Sequence, residues 1–199
     1  MISLCMDTSY QQLVVGIYQD HTLLAGVSKT AFKKQSESIF VELHACLEKA
    51  NLDYKDIDRI VITDGPGSYT GIRIAMTIAK VLCSQLHIDL YCISTMQLYA
   101  GLQESANVIL DARSQRAYCG YLSHGQHQEE MKILEVNQLP EWIQSHPGTI
   151  LGDAHLVQEP EQEVDFLQNF IDLEPVYRKI ENIHALVPQY LKESDAYKA

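Results

Sequence analysis

Residues 62–80 read ITDGPGSYTGIRIAMTIAK, a β-rich run that passes through a glycine-rich turn into a long apolar helix. Arg59-Ile60-Val61-Ile62-Thr63 has the β-branched density of a buried strand. Gly65-Pro66-Gly67-Ser68 then breaks both periodicities. Gly65 and Gly67 admit backbone angles that other residues resist, Pro66 fixes φ, and Ser68 or Thr70 can cap the helix that follows. Free amides at a helix N-terminus favour negative charge. The run from Gly65 through Gly71 and Arg73 therefore reads either as a tight structural turn or as a contact for an anion or a partner. Its spacing is neither the Walker pattern nor GxGxxG.

The helix after the turn carries two apolar stripes. At about 100° per residue, Ile72, Ala75, Met76, Ala79, Leu82, Cys83 and Leu86 form a broad face suited to covering the preceding strand. Ile74, Ile78 and Val81 point nearly the opposite way, with Arg73, Thr77, Lys80 and Ser84 as a polar strip between. Two apolar faces need two things to pack on: either another layer of this chain or another protein covers the outer stripe.

Working outward, residues 1–30 read as three strands of a β-meander, with Asp7-Thr8-Ser9 at the end of the first. A helix follows, with Ser36 as N-cap, Ile39, Phe40, Leu43, Cys46, Leu47 and Ala50 as apolar positions, and Asn51 as C-cap. Beyond the second helix, residues 89–93 make a fifth strand, and Ser94 caps a short helix running through Gln103.

This order predicts an α/β fold with a mixed sheet, the ribonuclease H-like half used twice in sugar kinases, actin and chaperone ATPases. A second half begins near Asn107, where residues 108–113 parallel the first strand and residues 118–122 the second. The expectation is a duplicated ribonuclease H-like (actin-like ATPase) fold with a shortened second half: an N-terminal domain over residues 1–103 that carries the two long helices, and a smaller degenerate one over 104–199 whose C-terminal segment can pack back on the first. Residues 131–136 and 149–151 are predicted strands, and 141–145 a short helix. Residues 180–191 are predicted to close the chain as a helix interrupted near Pro188.

The chain has 199 residues, 46% of them hydrophobic, enough for an ordinary core. Its longest apolar run falls far short of a membrane span, and MISLCMD carries no secretion signal, so a cytoplasmic protein is expected. Cys5, Cys46, Cys83, Cys92 and Cys119 are widely spaced in apolar contexts and read as buried, reduced thiols. A formal net charge of −11 disfavours direct contact with nucleic acid.

Chemistry is sparse. In the duplicated ATPase fold the first hairpins of both halves clamp the nucleotide phosphates. Asp7, Thr8 and Ser9 fit the first clamp in part, with an acid and two hydroxyls but no glycine; Asp111 and Arg113 fit the second poorly, because Ala112-Arg113 stands where small residues are needed. Asp7 and Asp111 read equally as strand ends and turn caps. No catalytic residue and no metal ligand is assigned: His124 and His127 read as a solvated hairpin pair, and Asp153, Glu159, Glu161, Glu163 and Asp165 as a solvated acidic loop.

With these residues in hand, the chain resembles the bacterial TsaB (YeaZ) family of tRNA threonylcarbamoyladenosine biosynthesis proteins. The resemblance rests on Met6-Asp7-Thr8-Ser9, Gly65-Pro66-Gly67-Ser68-Tyr69-Thr70-Gly71-Ile72-Arg73-Ile74, Leu110-Asp111-Ala112-Arg113 and Val187-Pro188-Gln189-Tyr190-Leu191-Lys192. Lys192 stands where the family often has arginine. The resemblance implies a non-catalytic paralogue of TsaD, the subunit that transfers threonylcarbamoyl to the adenosine beside the anticodon. In TsaD the first helix carries a His-x-x-x-His metal pair, whose counterparts are Gln35 and Ile39. It further implies a heterodimer with TsaD on which the ATPase TsaE docks, a homodimer when alone, tRNA held only by partners, and no cofactor of its own, with ATP or ADP at the subunit interface of the complex. Phe40, Leu43, Leu47, Ile74, Ile78 and Val81 are the implied partner-binding residues. The alternative is a small nucleotide-dependent kinase or ATPase of the same superfamily.

Overall fold

The computed structural model describes residues 1–31 and 34–191. The first half runs β1 (Ile2–Asp7), β2 (Gln12–Gln19), β3 (Thr22–Thr30), α1 (Gln35–Ala50), β4 (Arg59–Thr63), α2 (Tyr69–Leu86), β5 (Asp89–Ile93) and α3 (Thr95–Ala100). The second runs β6 (Ala106–Arg113), β7 (Arg116–Ser123), β8 (Gln126–His127), β9 (Lys132–Glu135), α4 (Leu139–Ser145), β10 (Thr149–Gly152), α5 (Phe166–Asp172) and β11 (Arg178–Lys179).

Two sheets result, with strand orders β11-β5-β4-β1-β2-β3 and β10-β6-β7-β8, β9 pairing with β7. In the first, β1 lies antiparallel to β2 and parallel to β4. In the second, β6 lies antiparallel to β7 and parallel to β10. The duplication expected from the sequence is therefore present, and the second half is the abbreviated copy: seven-residue α4 stands where the first half has sixteen-residue α1.

Strand alternation distributes the core. Leu4 and Met6 of β1, with Ile60 and Ile62 of β4, face a cluster built by α1 and α2. Cys5 and Val61 face the other way, into a cluster shared by α3, α5 and the second sheet's Val108, Leu110 and Leu122. Coverage on both faces explains why these strands read as unbroken apolar runs. The outer face of the second sheet, Ile109, Ala117 and Cys119, is covered by Leu139 and Trp142. All five cysteines are buried free thiols, and burial pushes the Cys5 thiol up to about 12.

Several local expectations need correction. α1 begins at Gln35 after Lys34, without a side-chain cap from Ser36, whereas the left-handed Asn51 ends it as expected. α3 stops at Ala100 because Gly101 turns the chain away, short of Gln103. Residues 180–191 contain no helix; they form a strap whose Ile180 and Leu186 enter the cluster beneath α1 and α2. Lys80 Nζ holds the strap by donating to the carbonyls of His184 at 3.1 Å and Leu186 at 2.6 Å. Part of the outer stripe of α2 thus finds its cover within the chain. Lys192 lies outside the described residues. Among the described residues no helix is long and apolar enough to cross a membrane.

Candidate functional site

The glycine turn packs onto the end of β1, and the contact is made at backbone range. A Cβ on Gly67 would lie 2.2 Å from the Ser9 carbonyl oxygen, and one on Gly71 would lie 2.2 Å from that of Thr8. Glycine is required because two backbones touch. Ser68 Oγ caps α2 by accepting from the Gly71 N–H at 3.2 Å, while Ser68 donates its own N–H to the Ser9 carbonyl at 2.7 Å. Of the two cap candidates, Ser68 takes the role, and Thr70 is exposed.

Asp7, Thr8 and Ser9 are each fully buried. Thr8 Oγ1 donates to the Gly71 carbonyl at 2.7 Å and accepts from the Ala75 N–H at 3.2 Å. Ser9 Oγ accepts from Thr95 Oγ1 at 2.9 Å. Asp7 Oδ1 accepts from the Ser9 N–H at 2.9 Å and from the Thr63 hydroxyl, while Oδ2 has no partner among the described residues. Burial raises the Asp7 carboxyl above its ordinary range, a shift its hydrogen bonds only partly offset. The Thr8 and Ser9 hydroxyls are spent on joining the end of β1 to α2 and α3, and the Asp7 carboxyl is fully buried against Ser9 and Thr63 of β4, so this turn is a packing joint and not an open phosphate clamp.

A cleft of about 770 Å³ opens between the halves, walled by the turn from Pro66 to Thr70 on one side and by Asp111-Ala112-Arg113 on the other. Asp111 and Arg113 are exposed; Asp111 Oδ1 accepts from the Arg113 N–H at 2.7 Å. Arg113, Ser114 and Gln115 are consecutive left-handed residues, with φ of 65°, 53° and 58°. Arg73 does not line the cleft. Its guanidinium lies 4.3 Å from the Tyr69 ring centroid, its Nε donates to Tyr190 Oη at 3.1 Å, and Tyr69 and Tyr190 stack at 5.2 Å.

Sequence reasoning missed two buried aspartates. Asp64, after β4, accepts from Gln189 Nε2 at 2.9 Å and from Arg178, anchoring the strap. Burial lifts its carboxyl to about 6 although Arg178 pulls the other way. Asp153, after β10, was read as part of a solvated loop but is 5% exposed. It accepts from the Tyr10 hydroxyl, from Gln11 Nε2 at 3.1 Å and from the Asp111 N–H at 2.6 Å, binding the two hairpins together. The signal available was its place after a strand paired like β4; Gly152-Asp153 on its own looks like a turn. His127 also departs from expectation: its Nε2 lies 2.8 Å from Ser94 Oγ, and burial lowers its pKa.

The two positions where a metal pair would fall cannot supply one. Gln35 is buried and donates to the Tyr10 carbonyl at 2.8 Å, and Ile39 is fully buried. Of the proposed partner-binding residues, Leu43, Leu47 and Ile78 are 0%, 2% and 7% exposed, so they serve the chain's own core. Ile74 is half-buried, whereas Phe40 and Val81 are 59% and 56% exposed, joined by Val41 at 65%.

The profile of the TsaD family, described as tRNA N6-adenosine threonylcarbamoyltransferase, matches residues 21–150. The tRNA threonylcarbamoyladenosine biosynthesis protein TsaB of Bacillus subtilis is 26% identical, covering 98% of this chain and 96% of its own. The protein of the same name from Buchnera aphidicola subsp. Schizaphis graminum is 31% identical over 50% of this chain and 47% of its own. Among solved structures, a Pseudomonas aeruginosa protein described as similar to the peptidase YEAZ superposes with a TM-score of 0.79 at 19% identity, covering 96% of this chain and 99% of its own. The Pseudomonas aeruginosa YeaZ structure gives 0.75 at 18% identity, over 96% and 99% of the two chains.

Proposed function

The chain belongs to the TsaD family and within it is a TsaB (YeaZ) protein, and on that premise we propose that it serves tRNA threonylcarbamoyladenosine biosynthesis as a non-catalytic scaffold for TsaD. The observation that carries this reading is the exposure of large apolar side chains on two helices that touch, Phe40 and Val41 on α1 and Val81 on α2. Large apolar side chains grouped on helices mark a surface for association. A stable interface buries about 800 Å² per partner, so the contact would extend beyond these three side chains to their neighbours on α1 and α2. The same face serves a homodimer when TsaD is absent.

The remaining parts of the reading follow from chemistry. Gln35 and Ile39 offer no imidazole, so this chain does not run metal-dependent transfer on α1. The net charge of −11 leaves tRNA to the partners, TsaE docks on the TsaB–TsaD pair, and ATP or ADP belongs to the subunit boundary of that complex. The setting is the cytoplasm. A kinase-like reading would need phosphate-clamping hydroxyls, and Thr8 and Ser9 are buried and already engaged.

The test is a size-exclusion and calorimetric titration of the chain against TsaD from the same organism, with and without ATP. The expected result is stoichiometric binding, with threonylcarbamoyl transfer to tRNA appearing only in the mixture. Phe40→Asp and Val81→Asp should each abolish co-elution while the melting temperature of the isolated chain holds. Absence of binding, together with ATP hydrolysis by this chain alone, would overturn the scaffold reading.

A further inference from the structure

The chain segment after β10 brings together three side chains from a stretch of nine residues. One ligand atom from each of Asp153, His155 and Glu161 lies within 4.8 Å of the others. His155 Nδ1 and Glu161 Oε1 are 3.0 Å apart, and both side chains are more than half exposed, at 59% and 63%. Asp153 is the contrasting member, held at the back of the cluster and 5% exposed.

We propose that Asp153, His155 and Glu161 form a binding site for a divalent transition-metal ion of the Zn²⁺ class, at the rim of the cleft between the two halves.

The donor set selects the ion. One imidazole nitrogen and two carboxylate oxygens suit Zn²⁺ and its neighbours, whereas Mg²⁺ and Ca²⁺ prefer oxygen donors only. Three protein ligands leave a fourth position open, the pattern of sites that accept water or an exchangeable oxygen ligand.

Asp153 is oriented as a ligand needs to be. An ionised carboxylate has about four acceptor positions. Tyr10 Oη and the Asp111 N–H take two on Oδ2, and Gln11 Nε2 takes one on Oδ1. One position on Oδ1 is left for a cation. These three donors are the outer shell that fixes a carboxylate in a metal site. Two come from the turn between β1 and β2 and one from β6, so an ion held by Asp153 would be coupled to the contact between the hairpins.

His155 and Glu161 can close on an ion with little rearrangement, since they already face each other as a hydrogen-bonded pair. Asp153 and His155 both line the cleft, as do Arg113 and the first turn of α2. A carboxylate or phosphate oxygen entering the cleft could complete the coordination.

The experiment is calorimetric titration of the full chain with ZnSO₄ in phosphate-free buffer, repeated on His155→Ala and Glu161→Gln and with MgCl₂ as the comparison ion. One saturable Zn²⁺ site is expected, lost in His155→Ala and weakened more than about tenfold in Glu161→Gln, since even outer-shell changes cost that much. Metal-free melting temperatures should match across the three proteins, because both altered side chains are exposed. The proposal is overturned if no saturable Zn²⁺ site appears below about 1 mM, if MgCl₂ binds as tightly, or if either variant keeps the unaltered affinity. Should one variant melt early, the other decides.

Discussion

The two hairpin turns at matching positions of the duplicated halves have opposite fates. In the first, Asp7, Thr8 and Ser9 are fully buried; Thr8 and Ser9 join the end of β1 to the glycine turn, α2 and α3, and Asp7 bonds Ser9 and Thr63 of β4. In the second, Asp111, Arg113, Ser114 and Gln115 are exposed, and three of them adopt left-handed backbone. The same turn is a buried packing joint in one copy and, in the other, an exposed cleft wall tied down through the Asp111 backbone. Duplication preserves strand pairing, because register is fixed by buried apolar faces; turn chemistry is free to diverge once nothing demands symmetry.

The largest expected effect attacks the joint directly. Gly71→Ala would place a Cβ 2.2 Å from the Thr8 carbonyl, a backbone atom that cannot swing aside. Separation of the two backbones should cost about 3 kcal/mol, read as a lowered midpoint in urea unfolding. A wild-type midpoint would refute the joint. Thr8→Val keeps the shape of the side chain and removes its hydroxyl, stranding the Gly71 carbonyl and weakening the link to Ala75. A loss of about 1–3 kcal/mol is expected from the same measurement.

Much of the joint is legible in sequence. Gly65-Pro66-Gly67-Ser68 announces a strand–turn–helix, and Ser68 caps α2 as its position indicates. What periodicity cannot give is depth along a helix axis. Phe40 and Leu47, seven residues apart, point in nearly the same direction at 100° per residue, yet one is 59% exposed and the other 2%. Leu47 lies near the end of α1, where Leu52 and Tyr54 pack on the same cluster, and Phe40 lies at the uncovered beginning. Ile78 belongs to the outer stripe but is buried in the cluster that Ile180 and Leu186 also enter. That strap has no repeating pattern to betray it. Asp153 was illegible for a third reason: its burial depends on β10 pairing with β6, which brings it under Tyr10 and Gln11 of the other half.

Behind the first turn, Asp64 offers a pH test of how tightly that side is sealed. Its carboxyl rises from 3.8 to about 6 chiefly through burial. A raised folded-state pKa means that the native chain holds the proton more tightly than the unfolded chain. Stability is therefore greatest below about pH 4 on this group's account and declines as pH rises through about 6. Asp64→Asn should flatten that decline, of up to about 3 kcal/mol, in unfolding midpoints measured at intervals from pH 4 to pH 7. Any remaining slope of the same sign belongs to Asp7, also raised by burial. An unchanged slope in Asp64→Asn would mean that the carboxylate is better solvated than its surroundings allow.

The smallest effect belongs to the second turn, and its sign is the sharpest contrast. Ser114 holds a left-handed φ of 53° with its side chain exposed. A non-glycine residue pays roughly 1–2 kcal/mol there, and glycine would relieve this while adding about 0.5–1 kcal/mol of unfolded-state entropy. Ser114→Gly should therefore raise stability slightly, by up to about 1 kcal/mol by that difference, where Gly71→Ala lowers it severely. Glycine is withheld from the turn that could use it and fixed in the one that cannot do without it. If Ser114→Gly instead destabilises the chain, the second turn is under a constraint of its own, and the two hairpins are less unequal than their burial implies.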